Sequence, residues 1–131
     1  MLSGVSFDIF FQRFEGGEAA DADESAVLGV LEPLIEERGD GWARIGTADG
    51  DADVYGINDP ASGLMVNHAS SREIWNVLFE LGRTAGFAVM PVGCGTFVFS
   101  EDALSALPDG APEPIRILRS GDELLGAVES S

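Results

Sequence analysis

The segment VSFDIFFQRF, residues 5–14, alternates apolar side chains with a period of two. One face of this extended segment carries four large apolar residues, Val5, Phe7, Ile9 and Phe11. Phe10 and Phe14 add bulk to the opposite face, so both faces are expected to be largely covered. A strand that is covered on both faces lies inside its sheet. The pattern therefore predicts a strand over 5–12 at or near the centre of a β-sheet.

A loop and a helical pattern follow this strand. Residues 15–24, EGGEAADADE, are rich in glycine and acid and predict a mobile acidic loop. Apolar residues then recur at helical spacing, at Val27, Leu28, Leu31, Leu34 and Ile35. Asp21 or Asp23 is the expected N-cap, and Gly39 is the expected residue beyond the C-terminus. Pro33 should kink or split this helix because it has no N–H to donate.

The middle of the chain predicts an antiparallel meander and a second helix. Three short strands are expected at 42–46, 52–57 and 64–68, and Asp49-Gly50 is a hairpin signal between the first two. The second helix has its apolar residues at Ile74, Trp75, Leu78, Leu81 and Ala85. Ser70 and Glu73 fit a capping box, so Ser70 is the expected N-cap.

The C-terminal third predicts shorter elements. A strand is expected at 87–93, which 94–99 extends or bends, and a last strand at 115–120. Ser100 and Ser120 are the expected N-caps of a short helix and a C-terminal helix.

These elements occur in the order β-α-β-β-β-α-β-(short α)-β-α. Strand-helix-strand crossings around an antiparallel meander are typical of a mixed sheet of the split-βαβ type. We therefore expect one α+β domain over residues 1–131, with a central antiparallel meander and helices mainly on one face of the sheet.

Charge is the strongest global feature of the sequence. Aspartate and glutamate total 23, all seven basic residues are arginine, and the net charge is -16 at pH 7. Such a surface repels nucleic-acid phosphates and anionic headgroups, so we expect neither nucleic acid nor a membrane as partner. The charge fits either general solubility or docking onto a basic protein. The sequence does not indicate an oligomeric state.

Several features predict a cytoplasmic protein. No apolar run approaches the roughly 20 residues of a membrane helix, and the first residues have no basic segment or cleavage site typical of a signal peptide. Cys94 is the only cysteine, so no intrachain disulfide can form.

His68 and Cys94 are the candidates for catalysis. Each follows a predicted strand, and a parallel crossover would place both at the same edge of the sheet. A thiol within reach of an imidazole is the minimum of a nucleophilic dyad, and Asn67 or Asp59 would then orient the ring. The alternative is a buried structural cysteine and a histidine that hydrogen-bonds at a strand end. We expect the second arrangement, which makes catalysis the less favoured alternative and leaves it open.

No pattern predicts a cofactor or a metal. Asp49, Asp51 and Asp53 alternate as at the start of a calcium loop, but Val54 and Pro60 stand where that loop needs glycine and glutamate. The glycine-rich run at 91–96 is neither a P-loop nor a dinucleotide motif.

The runs FDIFFQRFEGGE, ADVYG and PVGCGT, in an acidic chain without lysine, resemble small uncharacterised proteins of GC-rich actinobacteria. This resemblance implies no functional residues. In class and charge the chain is also similar to bacterial immunity proteins, which are small acidic α+β domains that neutralise basic toxin domains.

Three functions are compatible with these observations. The first is a cytoplasmic protein-binding domain, of which an immunity-like protein is one form, whose acidic surface attracts a basic partner. The expected binding residues lie in the acidic loop and are Glu15, Glu18, Asp21 and Asp23. The second is a small enzyme or ligand-binding protein with a crevice near His68 and Cys94. The third is a self-associating domain without a small-molecule site.

Overall fold

The alternating segment forms a strand, β1 (Ile9–Glu15), in the interior of the sheet. The computed structural model describes residues 8–130, so the predicted contributions of Val5 and Phe7 lie outside the described residues. The other strands are β2 (Glu18–Ala20), β3 (Ile35–Gly39), β4 (Trp42–Gly46), β5 (Asp51–Tyr55), β6 (Leu64–Asn67), β7 (Ala88–Pro91), β8 (Thr96–Val98) and β9 (Ile115–Ile117). The helices are α1 (Glu24–Leu31), α2 (Arg72–Ala85), α3 (Glu101–Ser105) and α4 (Gly121–Glu129).

The strands form one mixed sheet in the order β3-β4-β5-β6-β1-β7-β8-β9, and β2 pairs with β1. β1 is antiparallel to both β6 and β7, so β6 and β7 run in the same direction with β1 between them. Helix α2 connects these two strands, which makes the unit a split βαβ. The predicted α+β class, the mixed sheet and the interior position of β1 are confirmed.

Helices cover one face of this sheet. Helix α2 packs between α1 and α4. Ile9 and Phe11 of β1 point into this layer and are 0% and 1% exposed. The Phe11 ring meets the Phe87 ring edge-to-face, with centroids 5.8 Å apart. Within residues 8–130, no helix is both long and apolar enough to cross a membrane.

The expectation that both faces of β1 are covered is wrong. Phe10 points away from the helices and is 45% exposed. Successive side chains of a strand point to opposite faces, so Phe10 is on the open side while Ile9 and Phe11 are in the core. The sheet therefore has one helix-covered face and one open face.

The predicted acidic loop is a β-hairpin. β1 continues to Glu15 and pairs with β2, so that Glu15 lies opposite Glu18. The turn is Gly16-Gly17, where both residues have positive φ, at 58° and 82°. Two successive positive φ angles match the right-handed twist of the flanking strands, and glycine adopts them without steric cost.

The first helix is shorter than predicted, because Pro33 ends it rather than kinking it. α1 stops at Leu31, a 3-10 turn covers Glu32–Leu34, and the chain continues as β3. β3 pairs with β4, so the meander has four strands instead of three and Gly39 ends a strand. A proline cannot donate the backbone hydrogen bond that would continue the helix, which leaves the next residues free to pair with β4.

A further difference concerns the run at 94–99, which does not extend β7. It turns back as the separate strand β8, antiparallel to β7, and β9 then pairs parallel to β8. The fold class is unaffected by these additional strands.

The N-terminus of α2 is one residue later than predicted. Ser71 is the N-cap, and its hydroxyl accepts from the Ile74 N–H at 3.2 Å. Ser70 instead joins the helix to the sheet: its hydroxyl accepts from the Asp51 N–H at 2.9 Å and donates to the Asp51 carbonyl at 3.0 Å. The predicted Ser70 cap is therefore wrong, since that hydroxyl is already engaged by β5.

The turn between β4 and β5 docks onto this end of α2. The predicted hairpin is confirmed, but neither Asp49 nor Gly50 has positive φ. Gly50 is needed for space, because an added Cβ would lie 2.6 Å from the Ser71 Cβ. Hydrogen bonding from the Ser71 hydroxyl, and then from Thr47, lowers the pKa of Asp49 from its ordinary value.

The other predicted helix boundaries are confirmed. Asp23 caps α1 through the Ser25 N–H, Ser100 caps α3, and Ser120 caps α4 through the Glu123 N–H. Gly86 follows α2 in the left-handed conformation, with φ 74°.

The two faces of β1 should respond differently to truncation. Ile9→Ala should lower the free energy of unfolding by about 2–5 kcal/mol, because it opens a cavity under the helices. Phe10→Ala, one residue along the same strand, should cost less than about 1 kcal/mol, because half of its side chain already faces water. Urea unfolding of both variants measures these values, and equal losses would show that β1 is buried on both faces.

Candidate functional site

The open face of the sheet carries a continuous row of large apolar side chains. The strand register places one such residue on each of five neighbouring strands, in the order Trp42, Tyr55, Met65, Phe10 and Met90. Phe10 is 45% exposed and Tyr55 37% exposed, and the other three are partly buried. We call these five residues the band. Its members are far apart in sequence and become neighbours only through strand pairing.

A groove runs along part of the band. It has a volume of about 580 Å³ and lies between the band and the β1–β2 hairpin. Phe14 and Ala19, which face each other across that hairpin, form one side of it. The backbone at Gly56 and Gly63 contributes the opposite end. The groove therefore combines aromatic and methionine side chains with an opening to solvent.

A polar row lies beside the band on the same face. Pairing aligns Glu37, Arg44, Asp53 and Asn67 on consecutive strands, and the Asn67 amide donates to Asp8 at 3.4 Å. We call these five residues the polar row. It contains three carboxylates and one arginine, so it is net negative. Asn67 Oδ1 is buried without a hydrogen-bond partner within residues 8–130, a local cost of about 1–3 kcal/mol.

Arg44 fixes the geometry between the two rows. Its guanidinium lies 3.1 Å from Glu37 and 3.6 Å from Asp53, and its Cζ is 5.5 Å from the centroid of the Trp42 ring. The cation is thus held by two carboxylates and an aromatic face. These contacts keep Trp42 and the polar row in place without a bound partner.

Within residues 8–130, most carboxylates have no arginine partner. All acidic residues lie within residues 8–130, and six of the 23 form ion pairs with arginine there. The paired arginines are Arg13, Arg38, Arg44, Arg72 and Arg83. The negative charge of the surface is therefore largely uncompensated by the protein itself.

The four predicted acidic binding residues belong to ordered structure. Glu15 and Glu18 face each other at the end of the hairpin, directly after the Phe14–Ala19 pair that borders the groove. Asp21 accepts from Arg13 through its backbone carbonyl, and Asp23 caps α1. The expectation of a mobile loop is wrong, and neither Glu15 nor Glu18 lines the groove: Glu15 borders a separate cavity with Arg13 and Ser100.

His68 is a junction residue at the end of β6. Its Nδ1 lies 2.9 Å from an Asp53 carboxylate oxygen, and its side chain is 59% exposed. It has φ 57°, a left-handed conformation that is uncommon outside glycine. The predicted hydrogen bond near the strand end is confirmed, and it attaches His68 to the polar row.

Cys94 lies elsewhere and is buried. The residue is 7% exposed, and its Sγ donates to the Val92 carbonyl at 3.7 Å. It lines a small cavity of about 280 Å³ together with Phe97 and Arg116. This is the environment of a structural thiol.

The structure does not bring His68 and Cys94 together as a dyad. β1 lies between β6 and β7, and two interstrand spacings amount to about 9–10 Å. Each side chain has its own hydrogen-bond partner, and no hydrogen bond between the two occurs in the described part of the chain. The contacts of His68 therefore do not position its imidazole to deprotonate the Cys94 thiol.

The described residues contain no group of three or more histidine, cysteine, aspartate or glutamate side chains arranged to hold a metal ion. The alternating Asp49, Asp51 and Asp53 are engaged separately. Asp49 accepts from the Thr47 hydroxyl, Asp51 contacts Ser70, and Asp53 binds His68 and Arg44.

Sequence reasoning did not identify the band. A signal was present at Phe10, Tyr55, Met65 and Met90, because each alternates with buried neighbours on its strand. The alternation alone does not reveal that these residues meet, since that requires the strand order and register.

The thiol environment yields a direct test of the dyad. At pH 7, iodoacetamide should alkylate Cys94 at least about tenfold more slowly in the folded protein than in urea, because labelling requires local opening. His68→Ala should leave the rate unchanged. Mass spectrometry of timed samples measures both rates, and rapid labelling that disappears in His68→Ala would instead support the enzyme.

Comparison with known proteins does not assign a family. No protein-family model, curated protein or solved structure matches the chain. The resemblance to small acidic actinobacterial proteins therefore stays a prediction, and the functional argument depends on the site itself.

Proposed function

We propose that this protein is a protein-binding domain that docks a basic partner on the open face of its sheet. The observation that carries the proposal is the band, a row of five aromatic and methionine side chains across five strands. The proposal differs from the sequence-based expectation in its contact surface, which is the open sheet face with the polar row at its border.

The composition of the band supports a binding role. Aromatic residues and methionine are enriched at protein interfaces, where they bury large areas at modest entropic cost. Methionine also adapts its shape to different contacts, because it is unbranched and polarizable. An apolar row bordered by polar residues, with side chains such as Phe10 left exposed, is a typical feature of an interaction surface.

Charge supports a basic partner. The net charge is -16, and the polar row beside the band is itself net negative. Farther from the band, Glu15 and Glu18 face each other across the hairpin, and Arg13 lies 3.8 Å from Glu15. The same charge accelerates the encounter with a basic protein and opposes the approach of a second acidic copy.

The enzyme and the self-associating domain are not supported by a comparable feature of the described residues. The enzyme would need His68 and Cys94 to act together, and the two side chains have separate partners. Self-association through the band would bring two surfaces of the same sign together.

The proposal extends to cellular role. We propose a cytoplasmic location, because the single cysteine of the sequence is free. Neutralisation of a basic toxin domain, as by an immunity protein, is one form of the proposed binding. A toxin-like gene beside this one would support that form.

Affinity capture tests the proposed surface. Tagged protein is used as bait in extract of the source cells, in three forms: wild type, the double variant Phe10→Ser/Met65→Ser, and the control Ile115→Ser. Ile115 is also an exposed large apolar residue, at 38%, but it lies on β9 outside the band. A basic protein should be retained by wild type and control and lost from the double variant, because truncated interface anchors typically cost about 2 kcal/mol or more.

Salt provides the second readout. Association of the captured protein should slow as salt rises from low to physiological concentration, since screening acts over about 8–10 Å. Equal capture by all three forms would contradict the proposed surface, and salt-independent association would contradict the basic partner.

A further inference from the structure

We infer that the segment of the partner that occupies the band is a basic amphipathic α-helix lying across the strands. This inference rests on the proposed function, because it names the partner element for the same surface. It follows from the hydrogen bonding of the sheet, the length of the band and the charge on its two sides.

The sheet offers no backbone pairing at the band. Each of the five strands that carry it, β4, β5, β6, β1 and β7, is paired with a neighbour on both sides. The outermost strands in the sheet order, β3 and β9, do not contribute to the band. A partner that adds a strand to a sheet needs an unpaired edge, so that mode of recognition does not operate here.

A segment on this face must therefore satisfy its own backbone. An extended peptide pressed onto Phe10 and Met65 would cover N–H and C=O groups with apolar side chains, and burying such groups without a partner is costly. An α-helix makes these hydrogen bonds internally and presents only side chains. The open face thus favours a helix over an extended segment.

The length of the band matches a short helix. Five strands at 4.7–4.9 Å spacing span about 19 Å between Trp42 and Met90. A helix covers that distance in about 13 residues, and its pitch of about 5.4 Å is close to the strand spacing. Apolar residues at positions i, i+4, i+7 and i+11 would then contact successive strands.

The two sides of the band differ in charge. One side is the polar row, with the carboxylates of Glu37, Asp53 and Asp8. On the other side, two positions along the strands, stand the uncharged residues Gln12, Gly63 and Ala88, and the carboxylate there is that of Asp40, beside Trp42. A helix seated on the band would therefore carry lysine or arginine mainly along one flank of its apolar stripe.

Fluorescence anisotropy with three synthetic peptides tests the inference. The first has about 14 residues, with leucine at helical spacing and lysine on one flank. The second has the same composition with leucine and lysine in strict alternation, which favours a strand. The third is the helical peptide with glutamate in place of lysine. Each is titrated against wild type, Phe10→Ser/Met65→Ser and Ile115→Ser.

The first peptide should bind wild type and Ile115→Ser at least about tenfold more tightly than the second or third peptide does. Its affinity for the double variant should fall at least about tenfold. Circular dichroism of the double variant, which should match wild type, confirms that the loss is not caused by unfolding.

The contrary results separate this inference from the proposed function. Equal or tighter binding of the alternating peptide, or no binding of the helical peptide up to about 1 mM, would overturn the helix. Equal binding of the helical peptide to the double variant would overturn its location, and equal binding of the acidic peptide would overturn its charge. The proposed docking of a basic protein would stand after any of these results if the capture experiment still depended on Phe10 and Met65.

Discussion

The burial of one side of β1 under α2 and its neighbouring helices is the constraint on which the rest of the structure depends. Ile9 and Phe11 are almost completely excluded from solvent, and each large apolar side chain buried in this way contributes about 1.5–3 kcal/mol. Because β1 pairs with β6 and β7 at once, fixing its orientation also fixes theirs. A shift of one residue would move Phe10 into the core and Phe11 into water, so the register is strongly determined.

The open face is a consequence of the same constraint. The register that buries Phe11 aligns Phe10 with Met65 and Met90, and the meander continues the row to Tyr55 and Trp42. With three helices packed together on the opposite face, this side remains exposed. The negative charge of the surface then attracts basic proteins to this face and repels acidic ones. The burial of one strand thus determines the exposed row, and the charge beside that row favours a partner of opposite sign.

Much of the fold was predictable because the local patterns were strong. The alternation of β1, the apolar stripe of α2 and the caps at Ser100 and Ser120 all depend on residues close in sequence. β3 was missed because Leu34 and Ile35 continue the helical spacing of α1, and only pairing with β4 makes the second of them a strand residue. The choice between Ser70 and Ser71 as the cap was decided by Asp51, a residue 19 positions away.

The site was less predictable, because its contacts join residues that are far apart in sequence. The hydrogen-bonded position of His68 followed from its place after a strand, but its partner Asp53 belongs to another strand. The possible His68–Cys94 pair depended on whether another strand separated β6 from β7, and the sequence does not specify that β1 lies there. The band joins residues as distant as Phe10 and Met90, and only the complete strand order places them in one row.

The exposure of the band in the free protein is the central claim, and the methyl groups of Met65 and Met90 report on it directly. A soluble paramagnetic chelate should broaden both methyl NMR signals strongly in the free protein, while the methyl signals of Leu78, which is 0% exposed, should change little. Addition of the captured basic partner should protect both methionines. If Met65 and Met90 were as protected as Leu78 before any partner was added, the open face would already be covered, and the account would be contradicted.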